Sequence, residues 1–155
     1  MSNIDTCGIK VSAQELVVIL RRNEEFEPLR TFNNTPNGRE TLLCYLRQAG
    51  RVLRVCLEST GFNGLDLALT LSAAGGVEVM TANPRALRAF AQALMKRSES
   101  DPVDAYVLEE FAAYMPCQPW QPPSPNSGRG TACGYPRPSR AICIPLRPRA
   151  CSRPR

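Results

Sequence analysis

Over roughly its first 115 residues the chain switches between apolar runs of strand length and apolar positions at helical spacing, the pattern of an α/β domain. Residues 7–11 and 15–20 are short apolar runs around a Ser-Ala-Gln turn and predict a hairpin; residues 26–32 are expected to add a third antiparallel strand. Thr35 followed by Pro36 reads as a helix N-cap with proline at the first helical position. Leu42, Leu43, Leu46 and Ala49 follow at helical spacing, and Gly50 closes that helix. Residues 52–57 form a β-rich run ending at Glu58, just before Thr60-Gly61. Residues 65–74 are apolar nearly all round, as in a buried helix, and Gly75-Gly76 ends it. Another strand is expected at 77–80. Asn83-Pro84 then opens a helix with Leu87, Phe90, Ala91, Leu94 and Met95 on one face. Asp101-Pro102 opens a last one carrying Leu108, Phe111, Ala112 and Met115. A three-strand start followed by βαβ alternation gives a mixed sheet with flanking helices, an order shared by ribonuclease-H-like and other α/β folds.

After Pro116 the pattern stops. Ten of the chain's fourteen prolines fall between Pro116 and Arg155, in a stretch without helical or strand period. The expected organisation is therefore a domain over 1–116 and a Pro/Arg-rich, disordered tail over 117–155, too poor in apolar residues to offset its ordering entropy. A sharper alternative for residues 128–155 is a frameshifted tail, which reading the downstream DNA in three frames would test. Charge follows the same division. Up to Glu110 there are 12 Lys+Arg against 14 Asp+Glu, whereas from Phe111 onward there are seven arginines and no acid. The net +5 thus belongs to the tail, which would attract nucleic acid through its phosphates without sequence preference.

Several function classes drop out. No run approaches the ~18 apolar residues of a membrane span, and the N-terminus lacks a signal-peptide pattern, so no membrane association and a cytoplasmic location are expected. The seven cysteines, at 7, 44, 56, 117, 133, 143 and 151, include no Cys-x-x-Cys pair, and there is no histidine, which argues against zinc. Cys7, Cys44 and Cys56 lie in apolar segments and read as small core residues; with an odd count and no leader, disulfides are not expected.

Candidate chemistry rests on acids. Glu58 stands at a predicted strand end, where ligands gather in open α/β sheets, although an ordinary exposed glutamate fits the spacing equally well. Asp101 and Asp104, three apart at a helix start, share a face suited to one metal ion. Capping explains them too, with Asp101 as N-cap and Asp104 at the third helical position near the positive end of the dipole.

The stretches CGIKVSAQELVVIL, LESTGFNGLDLALTLSAAG, VMTANPRALRAFAQAL, SESDPVDAYVLEEFAAY and PWQPPSPN occur in the order seen in DEDD-type bacterial transposases. Over about residues 4–126 the chain resembles the insertion-sequence family numbered one hundred and ten, whose N-terminal domain is RuvC-like. The resemblance implies a ribonuclease-H-like fold and metal-dependent phosphoryl transfer in DNA transposition and recombination. It also implies Mg²⁺ as cofactor, and as partners DNA, a structured RNA from the element and further copies of the chain. The family's Glu-Ala-Thr-Gly motif maps to Glu58-Ser59-Thr60-Gly61, and its Asp-x-x-Asp-Ala motif to Asp101, Asp104 and Ala105. Glu58, Asp101 and Asp104 are thereby the expected catalytic and metal-binding residues. The first ligand, an aspartate in Gly-Ile-Asp-Val-Ser, is here Lys10 within Gly8-Ile9-Lys10-Val11-Ser12.

That exchange changes local charge by two units beside a site for divalent cations. Lys10 either repels the metal outright or pairs with Glu58 or Asp104, standing in for a bound ion. Asp5 is no replacement, since five residues along a strand place it on the opposite side. Nothing matches the family's C-terminal serine domain, so the chain reads as a truncated, catalytically inactive transposase domain. Ser124, Ser127, Ser139 and Ser152 are not assigned as nucleophiles. The alternative is a non-catalytic module that binds nucleic acid or pairs with intact transposase. Arg85, Arg88, Lys96 and Arg97 give one helix a basic side, either a phosphate-contacting surface or a solvated face. Trp120 reads as packing the chain's exit against the domain, with stacking on a base as the alternative.

Overall fold

The computed structural model describes residues 4–58, 62–96 and 100–122. Among these, β1 (Asp5–Val11) and β2 (Glu15–Arg22) form the expected antiparallel hairpin. The expected third strand is two short ones, β3 (Glu25–Phe26) and β4 (Arg30–Asn33), both paired with β2. Pro28 lies between them; it has no N–H to give the ladder, so pairing stops and restarts around it. Asn23 and Glu24, at φ 50° and 69°, make the tight turn from β2 to β3 that the apolar pattern did not register.

Helix α1 (Pro36–Leu46) begins as expected: the Thr35 hydroxyl accepts the Gly38 amide at 3.1 Å, and Pro36 is the first helical residue. A 3-10 turn, Arg47–Ala49, follows and ends at Gly50 with φ 63°. Then come β5 (Leu53–Glu58), a 3-10 turn at Phe62–Gly64, α2 (Leu65–Ser72) and β6 (Val77–Ala82). The last helices are α3 (Pro84–Ala93) and α4 (Asp101–Tyr114). Six strands among the described residues make one sheet ordered β3-β2-β1-β5-β6, with β4 also on β2; β1, β5 and β6 run parallel.

Side-chain alternation builds two cores on this sheet. Cys7, Ile9, Leu16, Val18, Leu20, Val55 and Leu57 pack on one face under α1 and α2. On the other, Cys56, Met80 and Ala82 meet α3 and α4, and Val17 and Ile19 meet Ala105 of α4. Helix α4 lies so close to the sheet that a Cβ at Gly8 would overlap the Ala105 carbonyl oxygen and the Glu109 amide nitrogen. Glycine at this position is what lets helix and strand backbones touch.

Four expectations are corrected. Helix α2 buries Leu67, Ala68 and Leu71 but leaves Leu69 exposed, because only one of its sides meets the sheet. Met95 is off the packed face: α3 has ended, the residue sits at φ 55°, and its side chain is exposed. Met115 likewise follows the end of α4 in extended conformation and is exposed. Cys44 is exposed on α1, whereas Cys7 and Cys56 are buried as expected.

No helix among the described residues is long and apolar enough to cross a membrane. The chain stays packed past Pro116. Pro119 bridges Met80 on β6, the Trp120 amide donates to the Val79 carbonyl at 2.7 Å, and the indole packs against the α1–α2 core. Trp120 therefore closes the domain's exit. The compact unit runs to Pro122; the remainder of the expected tail, like Arg97 and the Ser59-Thr60-Gly61 turn, lies outside the described residues.

Candidate functional site

The carboxyl ends of β1 and β5 and the start of α4 meet at one corner of the molecule. The parallel register pairs Gly8 with Cys56 and Ile9 with Leu57, so one step further sets Lys10 beside Glu58. Thr6, Gly8 and Lys10 share a face of β1, and α4 lies on it: Thr6 donates to Glu109, Gly8 abuts Ala105 and Glu109, and Lys10 reaches Asp104. Lys10 Nζ donates to Glu58 Oε2 at 2.9 Å and lies 3.2 Å from Asp104 Oδ2. All three side chains are largely shielded, with exposures of 24%, 19% and 19%. Burial pulls the ammonium's pKa down, but hydrogen bonds and charge from Glu58 and Asp104 outweigh it, so Lys10 ends above the ordinary lysine value and holds its proton.

Asp101 is placed differently. It is the first residue of α4, exposed, and Ser100 rather than Asp101 takes the N-cap position, which moves Asp104 from the third to the fourth helical residue. Of the expected carboxylates, Glu58 and Asp104 meet at Lys10 and line one cleft of about 550 Å³; Asp101 is not part of its described lining. Val107, the α3 residues Leu87, Arg88, Ala91 and Gln92, and Lys96 just beyond the end of α3 complete most of the wall. The basic edge expected on one helix is thus exposed Arg85 and Arg88 on α3, whereas Lys96 follows the helix's end, its Nζ 3.3 Å from the Tyr106 ring centroid and 3.9 Å from Glu110.

One residue important to this corner escaped the sequence reading. Glu109, fully buried on α4, accepts Arg21 Nε at 2.8 Å and Nη2 at 2.6 Å, and the Thr6 hydroxyl as well. The bidentate pair raises the arginine's pKa and clamps α4 across β1 and β2 one turn beyond the Lys10 cluster. The available signal was Glu109 within Val107–Ala112, a stretch apolar but for Glu109 and Glu110.

The arrangement is that of a RuvC-like α/β domain. The Thermus thermophilus RuvC structure in complex with a Holliday junction substrate is similar at TM-score 0.56 and 13% identity, covering 76% of this chain and 99% of that one. A second T. thermophilus RuvC structure is similar at TM-score 0.54 and 15% identity, covering 70% and 93%. Residues 7–127 match the DEDD transposase family of the IS110 type, described as "Transposase", and the chain belongs to that family. None of the curated proteins matches it.

The Mg²⁺ implied by the resemblance meets a donor set that does not suit it. Magnesium needs several oxygen ligands around one point. Here the point between Glu58 and Asp104 is taken by an ammonium, and among the described residues no group of three or more acids or cysteines is gathered closely enough to hold a metal.

Proposed function

We propose that this chain is a DNA-binding domain of the transposition and recombination machinery that no longer cuts DNA through a divalent metal. The observation that carries the reading is Lys10 Nζ between Glu58 and Asp104, at 2.9 and 3.2 Å. The Glu58 and Asp104 oxygens on that side are spent on an ammonium, which offers neither Lewis acidity nor a metal-bound nucleophile. What remains is a cleft with a basic rim from α3. Membership of a transposase family, and likeness in fold to a RuvC in complex with a Holliday junction substrate, support DNA as the ligand.

The test mixes the purified chain with labelled four-way junction and duplex DNA, first in EDTA and then with Mg²⁺ or Mn²⁺. The expected result is salt-sensitive binding in EDTA and no cleavage product with either metal. Cutting or rejoining of DNA by the purified chain with Mg²⁺ overturns the reading. An unlabelled structured RNA added as competitor shows whether the same cleft takes RNA.

A further inference from the structure

Two carboxylates held on one side of a sheet, largely out of water, repel each other and require a counter-charge. In this domain the backbone forces the encounter. Parallel register brings the end of β5 beside the end of β1, and Gly8 lets α4 settle directly on β1, which carries Asp104 to the same corner as Glu58. We infer that Lys10 is a built-in counter-ion, giving the Glu58–Asp104 pair the charge that a divalent cation would otherwise supply, so that the domain attains its folded form without metal.

Three features favour this over an incidental surface ion pair. The ammonium bridges two acids from different elements, β5 and α4, so it ties helix to sheet. All three side chains are largely shielded, which strengthens Coulomb attraction relative to an exposed pair of small worth. Lys10 also extends from a strand fixed by neighbours on both edges, β2 and β5, so its stem is positioned before the ion pairs form. The inference rests on the same contacts as the proposed function but concerns assembly of the domain, and it stands whether or not the chain binds DNA.

The experiment is thermal unfolding of the full chain without DNA, in EDTA and in millimolar Mg²⁺ or Mn²⁺ at matched ionic strength, with Mn²⁺ binding followed by electron paramagnetic resonance. Wild type is expected to show the same Tm in all conditions and no saturable Mn²⁺ signal. Lys10→Asp is expected to lose Tm in EDTA, or to fail to fold there, and to recover with Mn²⁺ as a saturable signal appears. The triple variant Lys10→Met, Glu58→Gln, Asp104→Asn removes the charges of these three side chains and is expected to fold in EDTA without metal response. A saturable rise in wild-type Tm with Mn²⁺, or a Lys10→Asp chain as stable as wild type in EDTA, overturns the inference. Failure of the neutral triple variant to fold also overturns it, because lysine's packing rather than its charge would then be what the corner needs. Since no DNA is present, none of these results bears on DNA binding.

Discussion

A methyl group added at Gly8 has nowhere to go: backbone atoms of Ala105 and Glu109 occupy its place, and backbone cannot swing aside as a flexible side chain would. Gly8→Ala is therefore expected to destabilise the domain by about 1–3 kcal/mol, the usual cost of overpacking a tight contact. Gly75→Ala, where nothing lies within 4 Å and φ is not in the left-handed region, is the control and should change stability little. Urea denaturation of both variants measures the difference, and equal midpoints would show that α4 does not rest on β1 as described. The same local geometry separates what could be read from the sequence at Lys10 from what could not. That a cation stood in a row of acids was visible from the motif; that it would bridge Glu58 and Asp104 depended on α4 landing on Gly8, a contact between residues about a hundred positions apart.

At the scale of elements, α4 is held at two levels, by Lys10 near its start and by the Arg21–Glu109 clamp further along. The clamp's carboxylate is fully buried while its guanidinium is partly exposed, so the two ends are not equivalent. Arg21→Met strands a buried charge and is expected to cost about 3–5 kcal/mol, whereas Arg21→Met with Glu109→Leu replaces the pair by apolar contact and should recover much of that loss. A double-mutant cycle by chemical denaturation checks it; a double variant as unstable as Arg21→Met alone would mean that packing, not the charge pair, anchors the helix. Periodicity located α4 through Leu108, Phe111 and Ala112 but passed over Glu109, because a pattern of apolar residues has no entry for an acid whose partner sits on a distant strand. Residues 26–32 gave two short strands in place of one for another reason: the reading passed over Pro28, although a ladder cannot run through a residue without an N–H. Asp101 and Asp104 were indistinguishable by spacing, since helix capping and ligand placement both ask for acids in the first turn.

For the molecule as a whole, the sheet turns its two faces to different tasks. The α1–α2 side is a dry core closed at the exit by Trp120, while the α3–α4 side opens into the cleft that holds Lys10, Glu58 and Asp104. Net positive charge in the sequence pointed to the tail, yet the basic side chains that border this cleft are Lys10 on β1, Arg88 on α3 and Lys96 just after it, in a part of the chain that is slightly acidic overall. If DNA follows the cleft, its backbone meets Arg88 first, an exposed arginine on the rim. Lys96 is already turned toward Tyr106 and Glu110 and has less to offer a phosphate. Each phosphate neutralised contributes a slope of about −0.9 to log K against log salt concentration. Arg88→Ala is thus expected to flatten that slope by about 1 and to weaken binding similarly for all sequences, as a backbone contact does. Lys96→Ala should change it less, its charge being partly satisfied within the domain. Fluorescence anisotropy with duplex DNA over a salt series, in EDTA, measures both. An unchanged slope for Arg88→Ala would place the DNA away from α3, and a larger effect for Lys96→Ala would mean that binding pulls that lysine off the Tyr106 ring.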